Sequence, residues 1–335
     1  MTVVRTLVGC LLIVMFSLPV RASGLVEHFL NGPCRFAYHP VLIVTDVTTS
    51  GEIDDSVSLM MYRELERRGC IRIVGVVSIF GNGGASAKEV YRNLHDRLHQ
   101  LGLSAWAVLE GPARRMSFSQ SLPPTAEDQQ RLFAIAAIVN QHERVVIAEL
   151  GPFTVSARLL SEGLVRPKRI ERILGVGGRA PGERFSTGHG LPFSFRDMNV
   201  DEDQAAVWYL LKHHPRKLWL VTYQTGINER MLTPETIAAL GISEISAHAK
   251  RRAKRLTLIG YGGKIPAWDT WTTSYFIEGG SQKLSCRQQK VRLVYVPVDT
   301  GEVERRQLWV SDRFDHDFRW VEMCWCADSL KENKQ

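Results

Sequence analysis

Short apolar runs rich in β-branched residues alternate with helical patterns along most of this chain, and that alternation most restricts its fold. Val41–Val44, Ile71–Ile79, Trp106–Leu109, Arg144–Glu149, Arg172–Val176 and Lys217–Thr222 read as buried strands. Between them, helices are predicted from Asp54, over Ser86–Leu101 and Ala126–Gln141, from about Thr154, and over Asp203–His213. Strands separated by helices need crossover connections, and crossovers pair strands in parallel. The pattern therefore predicts an α/β fold with a mainly parallel sheet covered by helices on both faces. Farther on, Pro234 to about Arg252 and Pro266–Ile277 read as helical. Val291–Val296, Gln307–Val310 and Trp320–Cys326 read as strands of an antiparallel addition, the first two joined by a turn at Asp299-Thr300-Gly301.

The N-terminus has the order of a secretory signal peptide: Arg5, an apolar run over Leu7–Leu18, then Val20-Arg21-Ala22 ending in a small residue. The run falls short of the roughly 20 apolar residues of a membrane-spanning helix. Cys10 lies inside the run and not after it, which argues against a lipoprotein anchor. The expectation is a signal peptide over 1–22 and a single domain over 23–335, secreted or periplasmic, with no stable membrane anchor.

Of the six cysteines, Cys34, Cys70, Cys286, Cys324 and Cys326 lie beyond that segment. Export permits disulfides, and an odd count leaves a free thiol or an intermolecular bridge. Cys70, beside an apolar strand, reads as a buried thiol. Cys324-Trp325-Cys326 lacks the second pair that a zinc site would need. The formal charge of +7 comes from scattered basic residues, with one dense cluster at Lys250–Arg255. That cluster reads as the solvated end of a helix, and no nucleic-acid polymer is expected as a partner.

Polar residues gather at the predicted strand ends, where open α/β sheets bind ligands. Asp46 ends the first strand, Val47–Ile53 forms a turn, and Asp54-Asp55 open a helix. Three carboxylates at one such point repel unless they bind a cation, share protons or face water. On the residues alone two readings stand. Either an Asp of the pair caps the helix and Asp46 belongs to the turn, or they form a metal site. Hard oxygen donors with no Cys or His nearby would suit Ca²⁺ or Mg²⁺.

Gly81-Asn82-Gly83-Gly84 reads as a phosphate loop or a left-handed turn, and the G-x-G-x-x-G dinucleotide fingerprint is not present. Asp197 and Asn199 alternate as on one face of an extended segment, with Asn199 alternatively capping the helix that follows. Asp269, between Trp268 and Trp271, is a ligand or an N-cap flanked by core tryptophans.

Taken in order, these groups resemble the nucleoside hydrolases, the calcium-dependent N-ribohydrolases. The carrying motifs are Asp46 with Asp54-Asp55, the G-V-V-S-I-F-G-N of Gly75–Asn82, the L-G-P-F-T of Leu150–Thr154, the G-V-G-G of Gly175–Gly178, the D-M-N-V of Asp197–Val200 ahead of Ala205-Ala206, and the W-D-T at Asp269. The resemblance spans roughly Val41 to Asp328.

It implies a Rossmann-like nucleoside hydrolase fold and hydrolysis of a ribosyl N-glycosidic bond. It also implies Ca²⁺ held by Asp46, Asp55, Asp269 and the carbonyl of Thr154. Asp46 would take the proton from the attacking water, and Asp54, Asn82, Asp197 and Asn199 would bind the sugar. The partner is a small riboside, and homo-oligomers are common among such proteins. A diol-binding protein without turnover is the alternative from another class. The chain departs from the family pattern at Val44, where Asp is usual, in the longer turn Val47–Ile53, at Asp197 in place of Glu, and at Trp268 in place of a His that can protonate the leaving base. His189, in the long loop Gly182–Phe195, and the aromatic rings of Trp268, Trp271 and Tyr261 have no assigned catalytic part.

Overall fold

A computed structural model describes residues 32–48, 53–81, 85–117, 123–178, 197–222, 225, 232–238, 250–251, 254, 268–280, 284–296, 305–310 and 319–326. The 1–22 segment, Asn82, His189 and Tyr261 lie outside them. The strands are β1 (His39–Thr45), β2 (Ile71–Ser78), β3 (Val108–Glu110), β4 (Val145–Glu149), β5 (Ile170–Val176), β6 (Leu218–Val221), β7 (Leu284–Val296), β8 (Arg305–Val310) and β9 (Arg319–Cys326). The helices are α1 (Asp54–Arg67), α2 (Ala87–Gln100), α3 (Ala126–Asn140), α4 (Thr154–Ser161), α5 (Met198–Asp201), α6 (Gln204–His213) and α7 (Pro234–Ala238).

The strands form one nine-stranded sheet in the order β3-β2-β1-β4-β5-β6-β9-β7-β8. Every pair from β3 through β9 is parallel, as the alternation of strands and helices predicts. The antiparallel addition at the chain end is present, and it is joined to the main sheet by a parallel pairing. β7 and β8 do form an antiparallel pair, but β9 lies parallel beside β6 and antiparallel to β7, extending the main sheet. Its Val321, Met323 and Cys324 are fully buried. β7 also begins seven residues before the predicted Val291, at Leu284.

Both faces of the sheet are covered. Val41 and Ile43 of β1 belong to one hydrophobic cluster with α1, while the alternating Leu42 and Val44 belong to another with α3, α4 and α6. Burial on both faces is why the central strands read as continuous apolar runs. Local capping agrees with this layout. Ser86 and Glu89 close a capping box on α2, and Thr125 accepts from Asp128 N (3.2 Å) at the start of α3.

Two further expectations change. The segment read as a helix over Pro266–Ile277 is a 3₁₀ helix over Asp269–Phe276. Two of its threonines bond back along it: Thr272 Oγ1 donates to Asp269 O (2.6 Å) and Thr273 Oγ1 to Thr270 O (2.5 Å), both three residues back. Cys70 is not a thiol; it is bonded to Cys34, and Cys286 is bonded to Cys324. Lys250, Arg251 and Lys254 of the basic cluster are exposed. No described helix is long and apolar enough to cross a membrane.

Candidate active site

The connection from β1 to α1 sets the site. β1 is buried from Val41 onward and ends at Thr45, so Asp46 is delivered to the carboxyl edge of the sheet, where it is 5 % exposed. Asp54 and Asp55 are the first two residues of α1. Neither is the cap: Ile53 holds that position and makes no side-chain bond there. Their charges instead sit where the helix dipole favours an anion. Both are buried, and Thr45 Oγ1 makes a short hydrogen bond to Asp55 Oδ1. Thr45 Oγ1 in turn accepts from Val47 N (3.2 Å), which fixes the first residues of the turn.

The 3₁₀ helix brings the third carboxylate. Oxygen atoms of Asp54, Asp55 and Asp269 all lie within 4.8 Å of one another, and all three residues are buried. Two oxygens bound to one Ca²⁺ at its usual distances stand at most about 5 Å apart, so the spacing and the donor chemistry fit that ion. Asp54 belongs to this trio, whereas the resemblance assigns it to the sugar and Asp46 to the metal. A counter-charge is near: the buried Arg97 donates to Thr48 O (3.3 Å) and Gln100 Oε1 (3.0 Å). Burial lowers its pKa, and the charge of Asp55 opposes that shift.

Asp46 lies between two glycine turns. A Cβ at Gly81, after β2, would collide with Asp46 Oδ2, and Gly81 has φ +155, so a side chain is excluded on both counts. A Cβ at Gly151, after β4, would stand 3.1 Å from Asp46 Cγ. The backbone thus closes on this carboxylate from two neighbouring strands.

At the end of β5, Asp197 accepts from Gly178 N (2.7 Å), and Asn199 Nδ2 donates to Val176 O (3.4 Å). They do not alternate along an extended segment. Asp197 caps the short helix α5, taking Val200 N (3.4 Å), and Asn199 lies within it. Local capping has won here because an Asp ahead of a helix finds the free N–H groups first. Thr154 opens α4, so its carbonyl enters the helix's hydrogen-bond ladder. Its hydroxyl donates to Asp203 Oδ2 (2.7 Å). Trp271 is fully buried in the core, and Trp268 packs partly buried against it.

Three features of the site are not evident in the sequence reading. Asp203 caps α6 through Ala206 N (3.0 Å) and also accepts from Met116 N (2.9 Å), so it ties three segments together; burial raises its pKa against those bonds. Tyr62 of α1 donates to Thr272 Oγ1 (2.9 Å), which links α1 to the carrier of Asp269. Burial raises the Tyr62 pKa, so it stays a neutral donor. Glu149, at the end of β4, accepts from Ser156 N (2.9 Å) and is fully buried. The only signal for it in the sequence is a carboxylate closing an apolar run.

Burial pushes the Glu149 carboxyl up to about 8, against the hydrogen bonds from Ser156. The folded state therefore holds a proton that the unfolded chain releases above its ordinary pKa of about 4.3. Stability from this group is complete below that value and is lost as pH rises through about 8. The slope is at most about 1.4 kcal/mol per pH unit. Glu149→Gln, which stays neutral, is expected to flatten that slope and to stabilise the fold at pH 8 relative to the parent. Urea unfolding at pH 5 and pH 8 measures this; equal slopes in the two proteins would remove Glu149 as the cause.

No protein-family model and no curated protein matches the sequence, but solved structures do match the fold. The chain is similar to a plant nucleoside hydrolase at 16 % identity, covering 88 % of this chain and 96 % of the other, with a TM-score of 0.58. It is similar to the inosine-uridine preferring nucleoside hydrolase from Bacillus anthracis at 15 % identity, with coverage of 86 % and 94 % and a TM-score of 0.55. It is also similar to the type III effector protein XopQ, in complex with adenosine diphosphate ribose, at 15 % identity, with coverage of 92 % and 94 % and a TM-score of 0.56. The chain has the nucleoside hydrolase fold.

Proposed function

We propose, with that fold as the premise, that this protein is a cation-dependent N-ribohydrolase and that its cation is Ca²⁺. The observation that carries the reading is the buried trio Asp54, Asp55 and Asp269 at the carboxyl edge of the sheet, with Asp46 on the same edge. Asp54, Asp55 and Asp269 would hold the ion, with Asp46 on the same edge of the sheet. Ca²⁺ bound there would polarise a water and offer coordination to two neighbouring sugar hydroxyls.

The protein's own groups do the rest. Asp46 takes one proton from the attacking water as its oxygen bonds to the anomeric carbon and the C–N bond breaks towards the base. Asp197, Asn199 and Asn82 are proposed to bind ribose hydroxyls. The carboxylates also lower the energy of the oxocarbenium-like state by fixed negative charge.

Trp268 offers no proton to a departing base. Substrates whose base leaves without protonation, such as nicotinamide riboside with its cationic ring, are therefore favoured over purine nucleosides. The XopQ complex supports including phosphorylated ribosides among the candidates. We also read 1–22 as a signal peptide and 23–335 as one secreted or periplasmic domain. The two disulfides support an oxidising compartment.

The test is free ribose, or ribose phosphate, released from purine, pyrimidine and nicotinamide ribosides, with calcium and then with a chelator. Calcium-dependent release, greatest for the nicotinamide riboside, is the expected result. A second reading, a calcium-dependent diol-binding protein, is favoured by one observation: Trp268 stands where the resemblance places an acid for the leaving base, and it is not one. Tight calcium binding with no release from any riboside would decide for it.

A further inference from the structure

The two carriers of the acidic trio are fastened together at the ends remote from it. Asp54 and Asp55 begin α1, and Asp269 begins the 3₁₀ helix. The far end of α1 runs through Arg68 and Gly69 into Cys70, and the far end of the 3₁₀ helix runs into Ile277 and Glu278. The segment 32–38 lies across both. On one side, Arg35 N donates to Phe276 O (2.8 Å), Glu278 N donates to Pro33 O (2.9 Å), and Cys34 forms an antiparallel bridge with Ile277. On the other, Tyr38 N donates to Gly69 O (2.8 Å), and Arg68 donates to Gly32 O. The Arg35 guanidinium stands 4.7 Å from the Tyr275 ring centroid, and the Phe36 ring packs 5.7 Å from it. One covalent bond joins this segment to the α1 side: Cys34–Cys70.

We propose that the Cys34–Cys70 disulfide is a positioning device for the carboxylate site, holding Asp269 in register with Asp54 and Asp55. This inference rests on the proposed cation reading and deepens it. Gathering three buried carboxylates opposes itself electrostatically, so elements that carry them drift apart unless something else holds them. Near the site, the Tyr62–Thr272 hydrogen bond is one such hold, and Thr272 bonds on to the Asp269 carbonyl. At the far ends the hold is an N-terminal segment, which frays readily without a covalent tie. The disulfide forms in an oxidising compartment and not in a reducing one. Full cation affinity would then be acquired only where the bond forms, after export. Linkage makes the coupling reciprocal: cation binding favours the oxidised pair as much as the oxidised pair favours the cation.

The experiment uses the full mature chain, oxidised and reduced, with calcium chloride titrated by calorimetry and amide exchange followed by mass spectrometry. To isolate this bond, reduction is carried out in a Cys286→Ala/Cys324→Ala background, and Cys34→Ser/Cys70→Ser serves as the permanently open form. The expected result is calcium affinity weakened by roughly tenfold or more on reduction. Faster exchange confined to residues 269–278 and 32–38 should accompany it, and reductant should change nothing when Cys34→Ser/Cys70→Ser is made in that same Cys286→Ala/Cys324→Ala background. Equal calcium affinity of both forms overturns the proposal, as does unchanged exchange over 269–278. Exchange rising evenly throughout the chain also overturns it, since the bond would then serve global stability alone. If the oxidised protein binds no calcium yet 269–278 still loosens on reduction, the positioning role stands and the cation reading fails.

Discussion

Asp46→Asn is expected to lower the turnover of any riboside the protein cleaves by about a hundred- to ten-thousandfold, the usual contribution of a positioned general base. Asn has nearly the same shape and keeps one oxygen, so the packing against Gly81 and Gly151 survives and no cavity opens. What it loses is the ability to accept the proton that the attacking water releases. The thermal midpoint should therefore stay close to that of the parent while kcat falls. Near-normal kcat would show that another group takes the proton and that Asp46 serves only to shape the edge of the sheet.

The second large effect is on the cation. Asp55→Ala should weaken calcium binding by at least roughly a hundredfold, since even partners of metal ligands cost about 10–100-fold when removed. The same substitution should do little harm to the metal-free fold. It deletes a hydrogen bond from Thr45 to a charged group, worth about 1.5–3 kcal/mol, and a favourable charge near the buried Arg97. It also relieves Asp55's repulsion with Asp54 and Asp269: two ionised oxygens within 4.8 Å repel by roughly 3 kcal/mol at an effective dielectric of about 20. Calorimetry and thermal unfolding, each with calcium and with chelator, separate the two effects. The parent should show a rise in melting temperature with calcium that the variant lacks. A variant that binds calcium unchanged would take Asp55 out of the site, and one that is unfolded in chelator would mean the Thr45 bond outweighs the repulsion.

Much of the fold is legible in the chain because its signals are local. The runs at Val41–Val44, Ile71–Ile79 and Arg144–Glu149 are continuous since both faces of a central parallel strand are buried. Asp46, Asp54 and Asp55 are legible as a group for a similar reason: one strand, one turn and one helix start place them together. Asp197 is ambiguous in the chain, because an Asp before a short helix serves as a cap and as a sugar ligand with the same sequence. In the 3₁₀ helix Asp269–Phe276 the Thr272 and Thr273 hydroxyls turn back on carbonyls three residues earlier, which a helical pattern of apolar residues does not reveal.

By itself, then, the sequence determined the parallel α/β class, the two-sided core and the edge of the sheet on which the carboxylates of the first loop emerge. These follow from side-chain periodicity and from the direction of chain between neighbouring elements. The tertiary structure alone decided that Asp54 stands with Asp55 and Asp269, that Cys70 pairs with Cys34, that β9 enters beside β6 and that Glu149 is sealed from water. Each of these depends on contacts between segments far apart in the chain, and on how much water is left when they meet; periodicity carries neither quantity.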